Sequence, residues 1–198
     1  MFHVCAVCKI WVRHPVCVCT SCANRLFELR DPMVRDQAPR VHSLFRWRPD
    51  GRRVFAALMR ELKGQDRPDP WRIFATWMAS EFAGQRRKPV LVPVPSSGAN
   101  HALGFARAVS ELTGWKVADV LLGEKSTSQK RLTKLARRAI RFDRQPACKE
   151  FTDVVIVDDI VTTGATARAA HRALGRPGNC EVWTLLDRRP CAESGALL

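Results

Sequence analysis

No stretch of the 198 residues approaches the roughly eighteen uninterrupted apolar residues of a membrane-crossing helix, so the sequence predicts no membrane span. Internal repeats and low-complexity tracts are absent, which sets aside solenoid and fibrous architectures. The start, Met1-Phe2-His3-Val4-Cys5, has neither the basic segment nor the long apolar run of an export signal. The expected compartment is therefore the reducing cytoplasm, where thiols favour metal over disulfide. Acidic residues are scarce: 19 Asp and Glu face 33 Lys and Arg, a net charge of +14. The resulting pI, near 10.2, points to a polyanionic partner without saying which one.

What is present begins with cysteine. Cys5-x-x-Cys8 is followed after ten residues by Cys19-x-x-Cys22. Each pair offers two sulfurs from one tight turn, and four thiolates suit a tetrahedral Zn²⁺ at about 2.3 Å per bond. Cys17 is a fifth thiol that competes with Cys19 for the same role, and His3 and His14 are further nitrogen donors nearby. Cys148, Cys180 and Cys191 are scattered and read as incidental thiols. A small Cys-rich module with little periodicity needs such a metal for its stability. Its expected extent is 1–38, with the polar, Pro-bearing stretch from Arg30 to Arg40 as linker and a larger domain over 41–198.

The larger part alternates helix and strand. Val54, Phe55, Leu58, Met59 and Leu62 share one helical face, as do Ile73, Phe74, Trp77, Met78 and Phe82. Val90 to Pro95 reads as a strand running into the turn Ser96-Ser97-Gly98. A helix from about His101 to Leu112, a strand from Trp115 to Leu121 and a last apolar strand from Cys180 to Leu186 follow. Strands separated by helices imply a mostly parallel sheet with right-handed crossovers and ligands at the strands' carboxyl ends.

The most informative run is the thirteen residues from Val154 to Thr166. Four β-branched apolar residues make a buried parallel strand, closed by Asp158 and Asp159. Thr162, Thr163, Gly164, Ala165 and Thr166 form a small-residue turn, and the chain then reads as helical from Ala167 to Leu174. The unpaired N–H groups of a first helical turn and nearby hydroxyls cradle a phosphate, and two carboxylates suit vicinal hydroxyls or a Mg²⁺ ion. Phosphate and diol together describe a ribose 5-phosphate. No Lys follows the glycine, which excludes a Walker-type site.

This run resembles the signature of type I phosphoribosyltransferases, which bind 5-phosphoribosyl 1-pyrophosphate (PRPP). The resemblance implies an α/β fold of that type, a mostly parallel sheet flanked by helices, to which the cysteine pairs add a small amino-terminal zinc-ribbon module. It implies that Asp158 and Asp159 hold the ribose hydroxyls as the catalytic pair and that residues Thr162 to Thr166 wrap the 5′-phosphate, with Mg²⁺ accompanying PRPP. Ser96, Ser97 and Lys125 would then meet the pyrophosphate from the neighbouring turn and a basic lid. Several purine-type relatives carry an acidic general base where Thr162 stands, so any acceptor here must be nucleophilic already. The four cysteines, Val92 to Pro95, Thr127 to Leu132 and the signature together resemble the ComF family, whose members are associated with DNA uptake in competent bacteria. That likeness implies a role beside a DNA-uptake helicase or other DNA-processing protein, with PRPP or a nucleotide as ligand. The chain departs from the family where an Arg-Gly-Phe-Asn-Gln run is usual: Leu103-Gly104-Phe105-Ala106-Arg107 keeps only Gly-Phe. An Asn usual after the Arg cluster is also missing around Ala139-Ile140.

Charge adds a separate expectation. Between Glu124 and Glu150 nine basic residues face three acidic ones, a local net of +6. Leu132, Leu135, Ala136, Ala139 and Ile140 share one helical face. Lys130, Arg131, Lys134, Arg137, Arg138 and Arg141 therefore spread around the other, where they suit single-stranded DNA. Arg46-Trp47-Arg48, with Arg52 and Arg53, interleaves an aromatic ring able to stack on a base.

Overall fold

In a computed structural model the described residues are 3–12, 18–63, 65–84, 88–96, 100–123, 142–145 and 150–189. The framework is a five-stranded sheet. Its strands are β3 (Met33–Arg35), β4 (Arg40–Arg46), β5 (Val90–Pro93), β8 (Asp153–Val161) and β9 (Asn179–Asp187), in the order β3-β4-β9-β8-β5. The pairings of β4 with β9, β9 with β8 and β8 with β5 are parallel; β3 is antiparallel at one edge. Helices α1 (Thr20–Glu28), α2 (Arg52–Leu62), α3 (Arg72–Phe82), α4 (His101–Thr113) and α5 (Ala165–Ala173) flank it. The expected mostly parallel α/β sheet is present.

The centre of the sheet is the apolar run itself. Val154, Val155, Ile156 and Val157 are fully buried, and alternation sends them to two different cores. Val155 and Val157 join Phe45, Phe55, Phe74, Phe105 and Trp183 on one face. Val154 and Ile156 join Val92, Val182, Ala167 and Ala170 of α5 on the other. A strand covered on both sides has no polar face, which is why the sequence reads as a continuous hydrophobic run. The neighbouring β9 is less uniform than expected: Glu181 sits partly buried, and Thr184 is fully buried within it.

Three expectations change. The stretch from Arg30 to Arg40 is no simple linker. Met33–Arg35 pairs with β4, and the Asp31 N–H donates to the Leu44 carbonyl at 3.0 Å. The division between 38 and 41 thus falls inside the β3–β4 hairpin. The strand expected from Trp115 to Leu121 reduces to a bridge at Val117 beside Leu91. Leu91 spends its N–H and C=O on Lys116 and Ala118, but the next outward position on β5 is Pro93, which has no N–H to extend the ladder. The chain leaves, and β6 (Leu121–Gly123) pairs antiparallel with β7 (Phe142–Arg144) instead. The last helix begins at Ala165, two residues early, because Gly164 takes the left-handed conformation (φ 72°) at its N-cap.

Gly104 explains part of the retained Gly-Phe pair. A Cβ there would lie 2.5 Å from the Gln65 carbonyl oxygen, so only glycine lets α4 approach that loop so closely. The next residue, Phe105, stacks on Trp71 with centroids 5.1 Å apart.

Candidate functional site

At the amino end, β1 (His3–Val4) and β2 (Trp11–Val12) make a short hairpin around the first cysteine pair. The Cys5 N–H donates to the Ile10 carbonyl, and Lys9 turns the chain at φ 63°. Cys19 is the N-cap of α1, and Cys22 lies in its first turn, where burial and the neighbouring cysteines push its thiol up. Cys5, Cys8, Cys19 and Cys22 bring their sulfurs within 4.8 Å of one another. Cys8 Sγ and Cys19 Sγ are 3.7 Å apart, close to the edge of about 3.8 Å of a tetrahedron with zinc–sulfur bonds of 2.3 Å. Burial opposes charge on Cys5, but hydrogen bonding from the main chain at Cys8, Cys19 and Val7 overrides it and lowers that thiol to about 6. The donor set fits Zn²⁺. Cys17 lies outside the described residues.

The module is docked, not tethered. Cys5, Cys22 and Leu26 share a core with Leu44, Phe55 and Leu58. Phe27 meets Trp77 edge-on at 5.6 Å, Lys9 pairs with Glu61, and Asp31 pairs with Arg48 at 2.7 Å and Arg46 at 3.3 Å.

The second cluster stands towards the carboxyl end of β8. That strand runs on to Val161, beyond the expected stop at the carboxylates, because β9 keeps pairing opposite Asp158, Ile160 and Val161. Asp159 is buried at 4% exposure, whereas Asp158 is only partly covered. The Asp159 N–H donates to Asp158 Oδ1 at 2.9 Å, and Asp159 Oδ2 lies 3.4 Å from His101 Nε2. Burial and the neighbouring Asp159 charge push the Asp158 carboxyl well above the usual range. Burial works against Asp159 too, but the contact with and charge of His101 hold it below that range. A close carboxyl pair splitting in this way shares a proton more readily than it bears two charges.

Beyond Val161 the turn carries Thr162 and Thr163 exposed, with Ala165 and Thr166 partly covered. Thr163 Oγ1 accepts from the Ala165 N–H at 3.3 Å, while the Arg168 guanidinium donates to the Thr163 carbonyl at 3.1 Å. Helix geometry leaves the first-turn N–H groups of α5 without intrahelical acceptors, aimed out of the turn. Ser96 follows β5, beside this rim, and the Val94 N–H donates to Val157 to fix that exit. Ser97, Lys125, Lys130, Arg131, Lys134, Arg137, Arg138 and Arg141 lie outside the described residues.

Other groups around the rim escape sequence reading. Buried Asp187, at the end of β9, accepts from Arg35 Nε at 2.8 Å and from Arg189 Nη2 at 2.7 Å. Burial would raise its carboxyl, but the Arg189 hydrogen bonds and charge, with the Arg35 charge, hold it low. Trp47 is not an open stacking platform. Its ring packs against Phe55 and lies under the Arg188 guanidinium at 4.5 Å, while Arg46 and Arg48 are engaged with Asp31. A separate concavity of about 510 Å³ opens among Arg40, His171, Asn179 and Glu181, at the amino ends of β4 and β9. Open α/β sheets bind ligands at the opposite ends of their strands, so the carboxylate rim is the better site.

The family model of the phosphoribosyl transferase domain matches residues 67–192, well over half of the sequence, and the chain belongs to that family. Among solved structures it is similar to the allosteric regulatory enzyme of purine biosynthesis, at 21% identity and TM-score 0.38. That match covers 57% of this chain and 24% of the other, so the chain spans about a quarter of that enzyme's length. It is also similar to an adenine phosphoribosyltransferase (15% identity, TM-score 0.41, covering 84% of this chain and 89% of that one). The adenine phosphoribosyltransferase from Leishmania donovani is similar at 9% identity and TM-score 0.43, covering 89% and 87%. Among curated proteins no match was found. At these identities the structural likeness concerns chain path alone, and the family match carries the assignment. No helix among the described residues is long and apolar enough to cross a membrane.

Proposed function

We propose that this chain binds PRPP at the rim of β8, in the manner of the ComF proteins, and serves DNA uptake with phosphoribosyl transfer to an acceptor. The observation that carries the reading is the continuity of Val154 to Thr166: strand, paired carboxylates, left-handed glycine and helix start follow in the order a ribose 5-phosphate needs. Asp158 and Asp159 accept hydrogen bonds from the ribose 2′ and 3′ hydroxyls. Thr162 to Thr166 enclose the 5′-phosphate through first-turn N–H groups and the threonine hydroxyls. Ser96 and Ser97 face the pyrophosphate, and Lys125 belongs to a basic lid over it.

Loss of pyrophosphate would leave positive charge on the sugar ring, and the Asp158–Asp159 pair would be the groups that stabilise it. The two carboxylates, whose oxygens lie close together, are the residues here that would hold Mg²⁺, which would supply neutralisation of the charge on a departing pyrophosphate. Thr162 offers a hydroxyl and no base, so the acceptor arrives deprotonated or intrinsically nucleophilic. Zn²⁺ on Cys5, Cys8, Cys19 and Cys22 is structural. Calorimetry with PRPP and Mg²⁺ tests the reading, and absence of heat at millimolar ligand overturns it.

A second reading is a non-catalytic PRPP or nucleotide sensor, or an adaptor on single-stranded DNA, working in the cytoplasm beside a helicase. The net charge of +14 and the segment from Lys130 to Arg141 favour it. Substituting both Asp158 and Asp159 separates the two, since an adaptor keeps its cellular role without them.

A further inference from the structure

We propose that Arg168 is a positioning residue for the phosphate-binding turn, holding the Thr163–Gly164 peptide so that the Gly164 N–H faces the anion. This role rests on the phosphate reading of Thr162 to Thr166 and adds a side chain from beyond that run. The Arg168 guanidinium donates to the Thr163 carbonyl at 3.1 Å. In a planar trans peptide the C=O of one residue and the N–H of the next point in opposite directions. Pinning the Thr163 oxygen on the Arg168 side therefore turns the Gly164 N–H out on the other. Among the described residues no acceptor takes that N–H, which leaves it open to a ligand.

Local structure brings Arg168 to this place. Side chains of an α-helix tilt toward its amino end, and the Arg168 N–H donates to the Gly164 carbonyl at 3.0 Å, one turn back. The long side chain thus folds back over the turn that its own backbone bonds. Gly164 leaves room for it: a Cβ there would stand 3.0 Å from Arg168 Nη1, with Gln37 Nε2 of the β3–β4 hairpin next at 3.8 Å. Charge is the independent observation. The amino end of a helix carries partial positive charge and disfavours a cation. The first turn of α5 nonetheless holds no acidic residue, and among the described residues no carboxylate pairs with Arg168. Dipole and guanidinium therefore oppose each other in the free chain. A phosphate monoester in the turn is attracted by both and offsets their repulsion.

The test titrates the full chain, isotopically labelled on glycine nitrogen, with ribose 5-phosphate and follows the amide resonances. The Gly164 resonance, identified by its absence in Gly164→Ala, should shift to saturation in the wild type. Arg168→Ala should weaken ribose 5-phosphate by about tenfold and shrink the Gly164 shift at saturation. Arg168→Lys keeps the charge and a donor of shorter reach, and should recover part of both. Arg172→Ala removes the same charge from an exposed position one turn further on, and should change the affinity by less than about twofold. A Gly164 amide unmoved by ribose 5-phosphate in the wild type would overturn the proposal. Wild-type affinity in Arg168→Ala, an undiminished Gly164 shift in that variant, or an equal loss in Arg172→Ala would each do the same. If PRPP gives no heat while ribose 5-phosphate still moves Gly164, the PRPP reading falls and the role of Arg168 stands.

Discussion

The main-chain N–H of Arg188 donates to the carbonyl oxygen of Val161 at 2.8 Å. This bond ties the exit of β9 to the last strand residue before the Thr-rich turn. The residues flanking Arg188 are thereby fixed against the rim: Asp187 is buried between Arg35 and Arg189, and Arg188 itself covers Trp47. A neighbouring strand end thus braces the start of the turn.

Asp187→Asn should destabilise the protein by about 3 kcal/mol, because it leaves Arg35 and Arg189 facing a neutral amide in a buried place. The pH dependence follows from the sign of the shift. The folded carboxyl titrates below its unfolded value, so its stabilisation is complete above the ordinary carboxylate range and is lost as pH falls through the folded value. Urea midpoints between pH 7 and pH 3 should fall more steeply for the wild type than for the variant. Parallel curves would refute the role given to this carboxylate.

Purified protein should carry about one zinc per chain, and Cys19→Ser should lose it and become sensitive to proteolysis at the amino end. Acid should release the metal, since protons compete for the thiolates. If elemental analysis finds full zinc in Cys19→Ser, the fourth ligand is Cys17 or a histidine.

In the cradle, Asp158→Ala and Asp159→Ala should each weaken PRPP binding by about 1.5–3 kcal/mol. Thr163→Val should cost less, about 1 kcal/mol, because it removes one hydroxyl and leaves the backbone donors intact. Gly164→Val should be worse, since φ 72° strains a branched residue and its side chain crowds the turn. Calorimetry on the variants ranks them; equal losses at Thr163 and Gly164 would contradict a backbone-built phosphate site.

Gly104→Ala provides a test of packing alone. Alanine favours a helix over glycine by about 1 kcal/mol, but its Cβ meets the backbone oxygen of Gln65, which no side-chain rotation can clear. A net loss of about 1–2 kcal/mol in denaturant unfolding is expected. A stabilised variant would mean the α4 contact is looser than described.

Binding of single-stranded DNA through the Lys130 to Arg141 segment should weaken steeply with salt. Replacing Arg137 and Arg138 together should reduce that salt slope by about 2. No binding at low salt would leave the basic segment to the lid and to solubility.

What the sequence determined by itself was whatever is contiguous. The strand-turn-helix run and the cysteine pairs are local: neighbouring residues dictate backbone conformation, and fixed spacing dictates which donors share a turn. The helical faces of α2 and α3 were legible for the same reason, through their period. The tertiary structure decided what depends on pairing across long stretches of chain. Arg35 and Asp187 stand 152 residues apart, and neither carries a local sign of the other. His101 read only as a helix start until the packing of α4 against β8 placed it beside Asp159. The stretch from Arg30 to Arg40 had a linker's composition, yet the edge of β4 offered its backbone a partner and made Met33–Arg35 a strand. Edge pairing depends on which N–H and C=O groups remain open after folding, and no local pattern encodes that.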